Sequence, residues 1–321
     1  MSALEQALGA MGRREGDRLV AMPRSERELA QLFAILVGQR GLLGRDVHLD
    51  RARLDRLGAV DDRSMTIDAA AGVPVRDVEA RANAHRLTLG PLAPSAWELS
   101  VGALIEHPGH AFRAVVPGRL EPLAARIVAV LAQGHVITSA PGPRHASGPD
   151  LASLVIGAGG AVGLVTQATL RLEPLPAVEE RRTSSFSTHA QAIEALREAL
   201  SAGLVPARVV LRARAGRIIV ETTSRGPASH VDRQLAVLTR VVERTQGRVE
   251  GAGREAEVDG TEHEATWDDV ASALAIGASV ELFRISLSTV LARGVRAPDA
   301  PRSATRLSTL LDPSSILSGE R

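Results

Sequence analysis

The stretch from Gly148 to Glu173 restricts what this chain can fold into more than any other. An apolar run (Leu151, Leu154, Val155, Ile156) is followed by glycines at 157, 159, 160 and 163, then by Leu164 and Val165. From Thr166 to Leu172 apolar and polar residues alternate, the period of a half-buried strand. Glycines at this density let the backbone turn with positive φ or approach another group closely. Two readings follow: a tight turn inside an α/β domain, or a cradle of backbone N–H groups around a phosphate or a flavin. Spacing alone favours the turn.

The totals exclude several chemistries. The 321 residues suffice for two domains of ordinary size. Aromatics are only 2% of a chain that is 45% hydrophobic, so Leu, Val, Ile and Ala must build the core. Every Lys+Arg residue is Arg, which rules out a Schiff-base lysine. Cys is absent, so disulfides, Fe–S ligation and a cysteine nucleophile are excluded. With 38 basic and 37 acidic residues the net charge is +1, which argues against nucleic-acid binding. No secretory leader or membrane-spanning run is visible, and a cytoplasmic location is the expectation.

The order Asp150-Leu151, Ile156-Gly157, Gly160, Gly163, Thr166, then Ala168-Thr169-Leu170-Arg171-Leu172 and Pro174-Leu175-Pro176 resembles the end of the FAD-binding domain in FAD-linked oxidases of the vanillyl-alcohol oxidase (PCMH) type. Glycolate and D-lactate oxidases belong to this group. The chain departs from it at Ala158-Gly159-Gly160, where the family has Ser-Glu-Gly, and at Pro149, where it has Tyr.

Other segments follow the same family in order. Leu4, Leu8 and Met11 predict at most a short helix in residues 1–21. Ser25 and Glu28 have capping-box spacing ahead of the apolar stripe Leu29, Leu32, Phe33, Leu36 and Val37. The family then has a strand and a P-x-G-G-G loop around the FAD pyrophosphate. Here only Gly38 to Asp46 intervenes before Val47-His48-Leu49-Asp50, so roughly twenty residues and the loop are missing. Arg40 and Arg45 in that short connection read as a solvated loop. Pro94-Ser95 and Ser100-Val101-Gly102-Ala103 resemble the family's wall facing the flavin, with Ala103 for a glycine and Glu106 for a small residue. A carboxylate there would repel a diphosphate. His107 and His110 lack a third metal ligand nearby, so no metal is expected. In the loop 141–149, Arg144 is the basic residue the family places before the Asp.

Residues 180–245 alternate as strand, helix, strand, strand, helix, a ferredoxin-like run that resembles the cap domain of the FAD-binding subunit of glycolate oxidase. Residues 251–264 read as an acidic, Gly-rich loop. Val280 to Leu287 resembles the family's W-R-I-S-L-P strand, and Arg306 to Arg321 its terminal helix and turn.

The resemblance therefore implies an α+β fold with an N-terminal extension (1–21), an FAD-binding domain (22–176), a reduced cap (177–305) and a C-terminal return (306–321). FAD is the implied cofactor, held by Pro94, Ser95, Ser100, Gly102, Asp150, Gly157, Gly160, Gly163 and Val165. No catalytic base is assigned. On chemistry alone, Arg284 is the contact for a substrate carboxylate. The implied function is oxidation of a small 2-hydroxy acid, alone or with protein partner subunits. The alternative is a non-catalytic homologue that serves as a scaffold or partner subunit.

Overall fold

The computed structural model describes residues 3–90, 92, 94–107, 123–139, 151–251, 258, 263–285, 289–294 and 317. Helix α1 (Ala3–Leu8) leads into an antiparallel hairpin of β1 (Gly12–Glu15) and β2 (Arg18–Ala21). The sequence hides this hairpin because β1 is an exposed edge strand built from Arg13, Arg14 and Glu15, with no apolar alternation. Helix α2 (Glu26–Gln39) starts where the Ser25 hydroxyl accepts the Glu28 N–H at 3.3 Å. Leu29, Leu32, Phe33 and Leu36 fall on one face of α2 and are fully buried. The helix stops at Arg40, which takes a left-handed conformation, as a helix end favours.

The next strand, β3 (His48–Leu49), lies directly beside β2 and parallel to it, pairing Val20 with His48 and Ala21 with Leu49. No strand stands between them, so β2-α2-β3 is a complete crossover unit. The connection is a compact turn closed by Asp46. Its carboxylate accepts the Leu42 N–H at 2.8 Å, while its own N–H donates back to the Leu42 carbonyl at 2.9 Å.

A five-stranded antiparallel sheet follows: β4 (Leu57–Asp61), β5 (Thr66–Ala70), and, after α3 (Val75–Asn83), the short β6 (Leu87–Thr88) and α4 (Val101–Glu106), the strands β7 (Ala124–Leu131) and β8 (Val136–Thr138). Helix α5 (Ala152–Val155) precedes its central strand, β9 (Gly163–Arg171). The order is β4-β5-β9-β7-β8. Ile67, Ala69, Ile127, Ala168 and Leu170 point into a core shared with Val78 of α3, Leu104 of α4 and Val155 of α5. A second core joins Phe33 and Leu36 of α2 to Val130 and Leu164 of this sheet, and Leu317 near the C-terminus packs into it. The short β10 (Glu173–Pro174) pairs with β6.

The second half is built on β11 (Val178–Phe186), α6 (His189–Ser201), β12 (Arg208–Arg214), β13 (Arg217–Gly226), α7 (Ala228–Arg244) and β14 (Arg248–Gly251). Its β-α-β-β-α-β sequence and antiparallel order β14-β11-β13-β12 are the ferredoxin-like arrangement. The sheet continues through β16 (Ser279–Ile285), β17 (Thr289–Arg293) and β15 (His263–Thr266), the last followed by α8 (Trp267–Ala275). Arg208 on β12 and the buried Glu281 on β16 meet at 2.8 Å across that extension. Among the described residues, no helix is long and apolar enough to cross a membrane.

The Leu42 N–H, and next the Arg45 guanidinium, hold the Asp46 carboxyl below its ordinary value of 3.8. A depressed folded-state value stabilises the fold above the unfolded value, and that stability is lost as pH falls through the folded value. Asp46→Asn should therefore destabilise the protein at about pH 7, and the gap from wild type should narrow towards about pH 3. Urea unfolding at both pH values checks this; an unchanged gap would refute it.

Candidate functional site

The wall that the sequence sets against a flavin is α4 and the turn after α5. Helix α4 begins at Ser100, whose hydroxyl accepts the Ala103 N–H at 3.3 Å, so this side chain serves as a helix cap. At the other end of the helix, the carbonyls of Ile105 and Glu106 accept N–H groups from Gly157 at 3.0 Å and Gly159 at 2.9 Å. The glycine turn therefore closes the end of α4 with two of its amides. Gly157, Gly159 and Gly160 all have positive φ, which explains the glycine density.

Glu106 is 2% exposed at the buried end of α4, and three donors converge on it. Arg51, two residues beyond β3, donates from Nη1 to Oε1 at 2.9 Å and from Nη2 to Oε2 at 2.6 Å. The Val165 N–H on β9 donates to Oε1 at 2.7 Å. This is a bidentate, charge-assisted pair with both ions withdrawn from bulk water, and removal of either partner would leave a buried charge. Gly102 makes it sterically feasible. A Cβ at Gly102 would lie 2.2 Å from Arg51 Nη1 and 3.0 Å from the Ala71 Cβ.

Beside the pair lies a cavity of about 180 Å³ between the crossover unit and the five-stranded sheet. His48, Arg51, Glu106, His107, Gly159 and Gly160 line it, and Leu317 closes one side. Among the described residues no group of three or more His, Asp or Glu side chains could hold a metal.

The structure thus sets the Val165 amide on the buried Glu106 carboxylate, Gly102 against its Arg51 partner, and Gly160 in the wall of the adjoining cavity. Gly163 is elsewhere engaged: a Cβ there would lie 2.6 Å from the Val130 carbonyl oxygen, so it lets β9 pack on β7. Pro94 and Ser95 belong to a 3₁₀ turn, Pro94–Glu98, and only their backbone is described. Arg284 likewise has only its backbone described, in β16 opposite Leu291. Asp150, Arg144, His110, most of the 251–264 loop and the terminal segment other than Leu317 lie outside the described residues. The sequence reading passed over Arg51 and His48. The one available signal was that a carboxylate at 106, in a predicted wall, required a cation from somewhere.

Residues 19–140 match the family model for an FAD binding domain. This part of the chain is therefore similar to FAD binding domains. Alkyldihydroxyacetonephosphate synthase of Caenorhabditis elegans is 26% identical over 140 residues, 44% of this chain and 23% of that protein. Glycolate oxidase subunit GlcD of Bacillus subtilis is 24% identical over 156 residues, 48% of this chain and 33% of that protein. The chain thus spans a third or less of these curated relatives. A solved alkyldihydroxyacetonephosphate synthase shares the fold, with a TM-score of 0.71 at 14% identity over 94% of this chain and 77% of that one. The shared fold is of the PCMH type.

The cavity is lined by donors of the kind that bind anions. A guanidinium and a main-chain amide donate to a buried oxyanion, here the Glu106 carboxylate, and two imidazoles line the same cavity. At about 180 Å³ the cavity is smaller than the roughly 300–1,000 Å³ of typical ligand sites. As it stands, with the Glu106 carboxylate in its wall, the cavity does not hold a dinucleotide.

Gly102→Ala should drive Arg51 off Glu106 and cost about 1–3 kcal/mol, the usual range for overpacking. Chemical denaturation checks it, and wild-type stability in the variant would show that Arg51 does not need the notch.

Proposed function

We propose that this chain is the flavin-holding part of an oxidoreductase for a small 2-hydroxy acid, working with protein partner subunits. The observation that carries the reading is the convergence of Arg51 and the Val165 amide on one buried carboxylate, that of Glu106, in a chain whose residues 19–140 match an FAD binding domain. Similarity to a glycolate oxidase subunit supports the substrate class, since glycolate is a 2-hydroxy acid. Bound FAD would supply the two-electron acceptor.

The chain's residues would bind and orient. Arg51 and the Val165 amide would hold a phosphate, and Gly102 would keep Arg51 within reach. Gly157 and Gly160 would shape the turn beneath the cofactor. His48 and His107 are imidazoles on the same cavity wall and would lie beside that phosphate. Arg284 would meet the substrate carboxylate.

A second reading, a non-catalytic scaffold or partner subunit, is favoured by the direct pairing of β3 on β2, which leaves no room for a strand and loop between them.

The two readings separate in an absorbance spectrum of the purified protein, recorded after reconstitution with excess FAD and gel filtration. Bands near ~370 and ~450 nm should co-elute with the protein, and anaerobic glycolate or lactate should bleach the longer-wavelength band. Protein that stays colourless would leave the scaffold reading. Coloured protein that no 2-hydroxy acid bleaches would remove the substrate class.

A further inference from the structure

We propose that the outer face of the five-stranded sheet is a binding site for a small polyhydroxylated carboxylic acid of the sugar-acid class, with Arg126 holding the carboxylate and Asp68 a hydroxyl group. The site is separate from the Arg51 cavity, and the proposal does not depend on the flavin-holding reading above.

The two faces of this sheet differ in chemistry. Ile67, Ala69, Ile127, Ala168 and Leu170 turn into the core. The alternate residues Thr66 and Asp68 of β5, Arg126 of β7 and Thr169 of β9 therefore face the other way. With Thr138 and Ser139 they line a cavity of about 570 Å³, which shares no residue with the one beside Arg51. That volume falls within the roughly 300–1,000 Å³ of small-molecule sites.

Strand register sets the charged groups in one row. Asp68 is paired with Thr169, and Thr169 with Arg126. Neighbouring strands lie about 4.8 Å apart, so the backbones at Asp68 and Arg126 are separated by about 10 Å. The Thr169 hydroxyl donates to Asp68 Oδ1 at 2.5 Å, which leaves Oδ2 as an acceptor. Asp61, at the edge of the cavity, is already engaged: its carboxylate accepts the Arg63 N–H at 2.9 Å and the Ser64 N–H and hydroxyl at 3.1 and 2.9 Å. Arg126 is the opposite case. It is half-buried, and among the described residues its guanidinium has neither an ion pair nor a hydrogen bond. A guanidinium partly withdrawn from water without an anion is an open position for one.

The rest of the lining selects the ligand. Two carboxylates and one guanidinium border the cavity, so a phosphate dianion would meet net repulsion, whereas a single carboxylate balances Arg126. Hydroxyls stand between the charged ends. That of Ser139 is buried, accepts the Ile127 N–H at 2.9 Å and keeps its own proton to donate. A chain of hydroxyl groups ending in a carboxylate meets both ends together, bidentate on Arg126 and donating to Asp68 Oδ2. A short acid such as acetate reaches one end only.

The test titrates the full-length chain with D-gluconate by saturation-transfer NMR, with acetate, D-glucose and 4-aminobutyrate as comparison probes. Acetate lacks the hydroxyls, glucose lacks the carboxylate, and 4-aminobutyrate carries an ammonium group at the far end. Gluconate should bind wild type on the order of tenfold or more tighter than any of the three, and Arg126→Gln and Asp68→Asn should each weaken it about tenfold or more. Circular dichroism and gel filtration establish that each variant folds. Arg126→Gln decides the question if Asp68→Asn does not fold, because this guanidinium has no partner among the described residues to lose. Gluconate binding unchanged in Arg126→Gln, or absent from wild type, would overturn the proposal. Acetate or glucose binding as tightly as gluconate would overturn it too, since one end would then suffice, and 4-aminobutyrate doing so would replace the sugar-acid class with a zwitterion. None of these outcomes involves flavin, so failure here leaves the flavin-holding reading where its own absorbance test puts it.

Discussion

A buried ion pair, Arg51 with Glu106, ties together the three parts of the chain that build the cavity beside it. Arg51 belongs to the end of the β2-α2-β3 crossover, Glu106 to the last turn of α4, and the Val165 amide to the central strand of the five-stranded sheet. Removing two charges from water costs several kcal/mol per ion, and a close bidentate geometry offsets that cost only when the remaining lone pairs also find donors. Glu106 meets this condition through the Val165 N–H. The pair is therefore stronger evidence about position than about net stability. It holds the crossover unit against the sheet in one arrangement, because any slippage would leave a carboxylate 2% exposed without its cation.

The same pair explains how the short crossover and the glycine turn work together. With β3 directly on β2, the segment after Leu49 runs along the cleft and brings Arg51 to α4. Gly102 leaves the notch through which the guanidinium passes. On the far side, Gly157 and Gly159 donate to the carbonyls that end α4, so the helix that presents Glu106 is fixed at both ends, by Ser100 and by the turn. The cavity that remains is small and polar on the side of His48, Arg51 and His107. This interior presents its donors already aligned on an anion, and the alignment is maintained by a residue of the chain itself.

Local rules were sufficient to read much of this fold. The Ser25 cap and the stripe Leu29, Leu32, Phe33 and Leu36 identify α2, because capping and a 3.6-residue period act within a few residues. The alternation from Thr166 to Leu172 identifies β9, and the run from residue 180 to 245 identifies the ferredoxin-like unit for the same reason. The hairpin of β1 and β2 was illegible because its outer strand is solvated and carries no pattern. The site was legible in one half only. Glu106 stood out as a charge in an apolar wall, but Arg51 lies 55 residues away on a different element, and no periodicity links the two. The glycines drew attention as amide donors, yet the Gly157 and Gly159 amides close α4, an assignment that depends on where that helix ends in space.

Whether Arg51 and Glu106 act as a unit in the flavin-free protein can be measured directly by a double-mutant cycle. Unfolding free energies would be compared for wild type, Arg51→Met, Glu106→Gln and the double variant. A buried bidentate pair should give a coupling energy of about 1–3 kcal/mol, with the double variant less damaged than the sum of the single changes. Single-variant effects that add to within about 0.3–0.5 kcal/mol would contradict the account, because the crossover and α4 would then be held together by something other than this pair.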